Sequence, residues 1–349
     1  MVRMCAAAPP VADVTGIIHC HSTYSDGMEA IPFICRAGRR AGIEYLLMTD
    51  HDTLAPLTEL GEGYRDGVLL LLGVEITPQH NHYLAYGVHD LPSPDLPPQA
   101  FIDQVRAQGG IGFCAHPHED GSAAIRQGEY SWLDWDVAGY TGLEIWNYFS
   151  TWVSGCTSLP RALVGAVHWP FIARGPDRRT LVKWDALGRE RAVVGIGGVD
   201  AHGVKKRIGR FDLVLHPYRR SFRTVRTHLL LPAPLGGDLA ADRAAVYDAL
   251  RQGRCYIVNW ELGDPRPFRF GAAAGGRWVE MGEEVPAQPV HLAANLGRDA
   301  DLRLLRDGEP VAAVRGRRLD WETAEPGAYR LEVRRRGRVW VLSNPIYLR

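Results

Sequence analysis

Imidazole and carboxylate side chains recur along this chain at the ends of short apolar runs. His19-Cys-His21 closes the run that begins at Thr15, and alternation along an extended strand turns both rings to one face. Asp26 follows in a Ser/Thr/Gly-rich turn. Asp50-His51-Asp52 closes Tyr45–Thr49, Glu75 closes Leu69–Val74, His116 closes Ile111–Ala115, and Asp200-Ala-His202 closes Val193–Val199. Neutral imidazole is the commonest metal ligand, and imidazole with carboxylate suits Mn, Fe or Zn. A single His-x-His pair is a weak signal, because a buried structural pair explains it as well. Five strand ends that all carry ligand-type residues point instead to one divalent metal centre, placed where β/α folds keep their active sites.

Such a centre requires elements that deliver each group to a common rim. From Val14 to about Leu231 the sequence alternates apolar runs with amphipathic stretches, the pattern of β/α units. Helices are expected over Met28–Arg40, Gln99–Gln108 and Asp242–Gln252, and Asp90–Pro98, with its prolines, reads as a loop. After Gly263 only short strands with Gly/Asp turns remain, among them Val290–Ala294, Leu302–Leu305, Tyr329–Val333 and Val339–Leu342, the texture of a β-sandwich. The expected division is a flexible tail over 1–13, a metal-bearing β/α domain over 14–262 and a small β domain over 263–349. Twelve of the 13 histidines precede residue 229, so the chemistry belongs to the first of the two folded parts.

Composition narrows the partners. Lys+Arg and Asp+Glu balance at 40 each, which leaves no net field to draw in nucleic acid or an anionic membrane. The six cysteines are scattered and read as free thiols. The N-terminus lacks the apolar core of a signal peptide, and no run approaches the roughly 18 apolar residues of a membrane span. The expectation is a cytoplasmic protein acting on a small molecule, without nucleic-acid or membrane partners and with homo-oligomers open.

His19-x-His21, Asp26, Thr49-Asp-His51-Asp, Gly73-Val-Glu75, Ala115-His-Pro117 and Asp200-x-His202 resemble, in order and spacing, the motifs of the PHP (polymerase and histidinol phosphatase) superfamily. Within it the chain is most similar to the CehA/McbA-type metallohydrolases, through Ser22-Thr-Tyr-Ser-Asp-Gly27, Glu144-Ile-Trp-Asn147, Leu250-Arg-Gln-Gly-Arg254 and the tail Ser343-Asn-Pro-Ile-Tyr347. The resemblance runs from about Val14 to the C-terminus and is weak over Ser154–Arg191. It implies an α/β fold, a distorted (β/α)7 barrel followed by the C-terminal β domain, with two or three divalent ions (Mn, Fe or Zn) at the rim. Carried over by position, His19, His21, Glu75 and Asp200 would hold one ion, and Asp26, His51 and His202 a second. Glu75 would bridge to a third on His116, with Asn147 at a position where many members have His or Cys.

The activity so implied is hydrolysis of a small phosphate mono- or diester, since two ions about 3.5–4 Å apart can share a water, lower its pKa toward about 7 and clamp the phosphoryl oxygens. Asp200 or His202 would take the nucleophile's proton, and His82 or His118 would protonate the leaving alcohol. Arg207, beside the unusual lysines Lys205 and Lys206, and Arg174 are candidates for phosphate binding through charge-assisted hydrogen bonds. Two alternatives remain: a carboxyl ester or aryl carbamate hydrolase built on the same metals, and a non-catalytic binding protein whose metals are structural.

Overall fold

The computed structural model describes residues 8–167, 175–208 and 211–349. The N-terminal part contains strands β1 (Ala12–Ile18), β2 (Tyr45–Met48), β3 (Gly63–Arg65), β4 (Val68–Ile76), β5 (Tyr83–Tyr86), β6 (Ile111–Cys114), β7 (Gly142–Asn147) and β8 (Val194–Gly198). A two-stranded ribbon of β9 (Lys205–Ile208) and β10 (Phe211–Val214) follows, then β11 (Val225–Leu231) and β12 (Cys255–Asn259). The helices are α1 (Ile31–Ala41), α2 (Ala55–Glu59), α3 (Pro98–Ala107), α4 (Tyr148–Gly155), α5 (Leu159–Val167), α6 (Arg178–Glu190), α7 (Tyr218–Ser221) and α8 (Leu239–Arg251). None of the described helices is long and apolar enough to cross a membrane.

β1, β2 and β4 pair in parallel, as do β6, β7 and β8, whereas β5 lies antiparallel between β4 and β6. β11 runs antiparallel to both β1 and β12. This mixed α/β sheet departs from the expected (β/α)7 barrel in two ways. The six residues between β4 and β5 are too few for the helical crossover that a parallel partner needs, so β5 turns back as a hairpin strand. Nor is the sheet closed by a ladder. Between the ends of β8 and β1 run the bridge Cys20–Ala201 and hydrogen bonds from Val199 N to Ile18 O (3.1 Å), from Asp200 N to His19 O (2.9 Å) and from His21 N to Ala201 O (3.1 Å).

Every residue of β4 is buried, which is why its sequence is a continuous apolar run rather than an alternating one. α1 buries Ile31, Ile34, Cys35 and Gly38, spaced for one face, and stops at Gly42, whose φ of 75° a glycine adopts without strain. It begins at Ile31 rather than at Met28 because Pro32 suits only the first turn. β1 begins at Ala12, so the last two residues of the expected tail are paired with β11. Over Ser154–Arg191, where sequence signals were weakest, the described residues are mainly α4, α5 and α6.

The C-terminal part is all β: β13 (Arg269–Ala274), β14 (Arg277–Glu280), β15 (Glu284–Val285), β16 (Val290–Arg306), β17 (Glu309–Thr323), β18 (Gly327–Arg335), β19 (Arg338–Ser343) and β20 (Ile346–Leu348). The two short strands expected at Val290 and Leu302 are one 17-residue strand. Its first half pairs with β13 and its second with β18, and the register shift between Asn295 and Ala300 lets it pass from one partner to the other. Leu292, Leu304, Leu331, Trp340 and Val341 lie in the core these strands enclose.

This part also supports the strands that lead to the imidazole and carboxylate cluster. β19 pairs with β12 across the expected boundary. Asn344 accepts from Gly195 N (2.7 Å) and donates to Gly195 O (2.9 Å), and Tyr347 OH accepts from Val193 N (3.0 Å). β8, which leads to Asp200, is therefore gripped from behind by side chains of the C-terminal tail.

Candidate metal centre

Six strand ends deliver the polar groups: β1 leads to His19 and His21, β2 to His51, β4 carries Glu75, β6 leads to His116, β7 carries Glu144 and Asn147, and β8 leads to Asp200 and His202. His82 sits just before β5. His19, His116 and Asp200 have positive φ values of 66°, 25° and 51°, so three of these residues hold a backbone conformation that non-glycine residues rarely adopt. Such local strain concentrates at functional sites, where surrounding structure over-determines it.

Glu75 is the centre of the cluster. Its Oε2 lies 3.0 Å from His19 Nε2, 3.2 Å from His21 Nε2 and 3.3 Å from His51 Nδ1. Its Oε1 lies 3.0 Å from His82 Nδ1 and 3.2 Å from His116 Nε2. Asp200 Oδ1 stands 3.4 Å from His19 Nε2, 3.2 Å from His21 Nε2 and 3.4 Å from His202 Nδ1. Asp26 Oδ1 is 3.5 Å from His51 Nε2 and 3.3 Å from His202 Nε2. Four overlapping sets of potential ligand atoms result: His21, Asp26, His51 and His202; His19, His21, Glu75 and Asp200; Glu75, His82 and His116; and His116, Glu119 and Asp200.

Some of these contacts are hydrogen bonds, and all of the distances also suit ligands around a cation. Metal–N and metal–O bonds of about 2.1 Å place neighbouring ligand atoms about 3.0–3.4 Å apart along the edges of an octahedron or tetrahedron. Both nitrogens of His21, and Nδ1 of His51 and of His116, are buried without a hydrogen-bond partner, a costly arrangement for the protein alone. The donor set of imidazole and carboxylate is that of Mn, Fe or Zn.

Charge is balanced within the cluster by protons. Burial opposes a charge on His202, but Asp200 and Asp26 outweigh it and lift its pKa to about 9. Burial likewise opposes charge on His116, yet Glu119 and Glu75 lift it to about 9. Glu75 and Asp200 stay well below the ordinary carboxylate range: burial works against ionisation, and the surrounding imidazoles prevail. The exception is His82, where burial dominates and lowers the pKa.

Carboxylates also stand behind the cluster. Glu144 Oε1 holds His19 Nδ1 at 2.9 Å, and Glu144 Oε2 accepts from His116 N at 2.8 Å. Asp50 accepts from Ser22 N, Ser22 Oγ and Ser25 Oγ, each at 2.7 Å, fixing the turn that carries Asp26. Gly198 leaves the room that Glu144 needs, because a Cβ there would fall 1.8 Å from Glu144 Oε1 and 3.0 Å from His19 Cβ. Gly198→Ala is expected to destabilise the protein by about 1–3 kcal/mol through overpacking and to weaken metal retention, measured by denaturant unfolding and by metal titration. Unchanged values in both would show that Glu144 has room to move.

Asn147, expected among the ligands, stands beside the cluster and bonds to its surroundings. Its Oδ1 caps α4 by accepting from Ser150 N (2.9 Å), and its Nδ2 donates to Glu144 Oε2 (2.9 Å) and approaches Asp200 Oδ2 (3.3 Å). His82, expected to protonate the leaving alcohol, lines the cavity beside the cluster with its Nδ1 3.0 Å from Glu75 Oε1. Glu119 went unnoticed in the sequence, although Ala115-His-Pro-His-Glu119 places it three residues after His116; it is 2% exposed, with Oε2 3.3 Å from His116 Nδ1.

The cluster opens on a cavity of about 610 Å³ whose walls include Tyr130, Phe149 and Met28 beside His51, His82, His202 and Asp200. Tyr130 lies against His82 (ring centroids 5.2 Å apart) and Phe149 against His202 (5.6 Å). His118 is not brought to this cavity. It lines an adjoining space of about 230 Å³, with its Nδ1 2.9 Å from Thr180 Oγ1. Arg174 lies outside the described residues, and so does the side chain of Arg207.

No family model matches the chain. It is 24% identical over 144 residues to an uncharacterised protein of Methanocaldococcus jannaschii, a match covering 38% of this chain and 81% of that one. It is 37% identical over 82 residues to the phosphoribosyl 1,2-cyclic phosphate 1,2-diphosphodiesterase of Eggerthella lenta, covering 21% of this chain and 30% of that protein's length. Among solved structures it is similar, at TM-score 0.44 and 14% identity over 99% of both chains, to a two-domain protein of Bacteroides vulgatus containing a predicted PHP-like metal-dependent phosphoesterase. A proposed metal-dependent phosphoesterase of Bifidobacterium adolescentis gives TM-score 0.37 at 17% identity over 60% of this chain and 94% of that one. None of these likenesses narrows the resemblance to the CehA/McbA type.

Proposed function

We propose that the protein is a metal-dependent hydrolase of small phosphate esters. The observation that carries this reading is Glu75, one buried carboxylate with five imidazole nitrogens from five histidines within 3.3 Å of its two oxygens. Support comes from the 37% identity to a phosphodiesterase over 82 residues and from the order of the PHP-like motifs.

In this reading His19, His21, Glu75 and Asp200 hold one ion, and Asp26, His51 and His202 a second. Glu75, His116 and His82 hold a third, with His82 serving where Asn147 was expected. Bound ions would supply positive charge to the phosphoryl oxygens and a water of lowered pKa. The chain's own residues do the rest. His202 Nδ1 faces Asp200 O at 3.0 Å, which turns Nε2 toward Asp26, and Asp200, at the cavity wall, is placed to accept the proton of the attacking water. Tyr130, Phe149 and Met28 give the cavity apolar walls against which the ester's organic group packs while its phosphate faces the cluster. The barrel-like arrangement over 14–262, the sandwich-like C-terminal domain over 263–349 and the CehA/McbA likeness belong to the same proposal.

The test compares p-nitrophenyl phosphate, bis-p-nitrophenyl phosphate and an aryl carbamate side by side with Mn. Phosphate-ester turnover is expected to exceed carbamate turnover. Asp200→Ala is expected to lower it by about a thousandfold, ~4 kcal/mol of barrier, in a folded protein. Background phosphoesterase activity beside fast carbamate turnover would overturn the assignment in favour of the carbonyl reaction. A folded, metal-loaded protein with no turnover on any ester would favour a structural role for the ions.

A further inference from the structure

We propose that Glu119 and Glu144 are positioning residues that present His19 and His116 to the ions through Nε2, and that the first turn of α4 links these carboxylates into one unit. The inference rests on the metal-centre reading above and concerns groups outside the three proposed ligand sets.

Each of the two histidines has carboxylate oxygens within 3.4 Å of both ring nitrogens, on opposite sides of the ring. His19 Nε2 faces Glu75 and Asp200, and its Nδ1 meets Glu144 Oε1 at 2.9 Å. His116 Nε2 faces Glu75, and its Nδ1 lies 3.3 Å from Glu119 Oε2. A neutral imidazole has one N–H and one lone pair. The Glu144 hydrogen bond at His19 Nδ1 fixes the N–H there and leaves the Nε2 lone pair for a cation, the usual way in which a partner behind a metal-binding histidine sets its tautomer and orientation, and Glu119, 3.3 Å from an Nδ1 that has no other partner, stands where it would do the same for His116. Both rings thus arrive already turned, and both are almost wholly buried.

The two outer carboxylates are not independent. Asn147 Nδ2 donates to Glu144 Oε2 (2.9 Å), Asn147 Oδ1 accepts from Ser150 N (2.9 Å), and Ser150 Oγ donates to Glu119 Oε2 (2.6 Å). Glu119 is further anchored through its backbone carbonyl, which accepts from Tyr130 N (3.1 Å) and Ser131 Oγ (3.1 Å). The hydrogen-bonded chain His19–Glu144–Asn147–Ser150–Glu119 therefore runs from one proposed ion to a carboxylate 3.3 Å from His116 Nδ1. It gives the asparagine at 147 a role: its amide supplies a donor for Glu144 and an acceptor for the helix cap at once.

The experiment titrates Mn and Zn into the chelator-stripped full chain for the wild type, Glu119→Gln, Glu144→Gln and Ser150→Ala, with folding followed by circular dichroism. Glu119→Gln is expected to weaken the ion on His116 by about 10–100-fold and leave the others, and Glu144→Gln to do the same for the ion on His19. Ser150→Ala, which keeps both carboxylates and cuts only their link, is expected to weaken the His116 ion less than Glu119→Gln does. Nitrogen-15 NMR of His116 in wild type should show the Nδ1–H tautomer, a signature that a purely space-filling glutamate would not set. Wild type that binds no ions would overturn the metal-centre reading itself. Wild type that binds ions beside glutamine variants of equal affinity would overturn the positioning role alone, and variants that lose the fold while stripped would assign the carboxylates to core stability instead.

Discussion

Glu75→Gln is expected to abolish turnover, lowering it by more than about a thousandfold, the loss of ~4 kcal/mol of transition-state stabilisation. It is the largest single-residue effect because Glu75 belongs to two of the proposed ligand sets and touches five of the six histidines around the centre. Glutamine keeps the shape but replaces an acceptor oxygen with an NH2 donor that faces imidazole nitrogens. At least two ions should be lost. Without ions the variant is also expected to be less stable by about 3–5 kcal/mol, since removing one partner of a buried ion pair leaves the opposite charges uncompensated. Metal content after dialysis, steady-state turnover and denaturant unfolding check the three parts. A Glu75→Gln protein with wild-type metal content would show that the carboxylate is not a ligand.

Chelation is expected to have the second largest effect, and its size should depend on pH. An ion present at a thousand times its dissociation constant contributes about 4 kcal/mol of stability per site, so stripping the ions should lower the thermal midpoint sharply. In the stripped protein protons take over part of the cations' task. His116 and His202, each lifted to about 9 from an ordinary value of 6.5, stabilise the folded state fully below pH 6.5 and lose that contribution as pH rises toward 9. Glu75 and Asp200, held low, act in the opposite sense and lose their contribution only in acid. Stripped protein should therefore be destabilised between about pH 6.5 and 9, whereas metal affinity should rise over the same window as ions displace fewer protons. Scanning calorimetry at several pH values, with and without Mn, measures both. Equal midpoints with and without metal at every pH would contradict the assignment of these residues as ligands.

The ligand candidates were legible in the sequence because each closes an apolar run, and strand ends project their side chains at a common rim. His19, His21, Glu75 and Asp200 converge as their spacing implies. Connectivity was less legible. The hydropathy of Tyr83–Tyr86 says strand but not direction, and only the short link after β4 makes β5 antiparallel. The long β16 corresponds to the two expected strands Val290–Ala294 and Leu302–Leu305, and the structure carries the chain between them through a register shift. Glu119 and the role of Asn147 were hidden for another reason. A residue that acts through another has no characteristic spacing, and its partners, Ser150 and Glu144, are set by the first turn of α4 rather than by the motif that contains the ligand.

The most direct measurement is the anomalous-scattering map of crystals grown with Mn. Two or three peaks are expected within about 2.0–2.3 Å of the imidazole nitrogens and carboxylate oxygens assigned here, with Glu75 shared between two of them. A map with no peak at Glu75, or with manganese bound only to scattered surface carboxylates, would contradict the account.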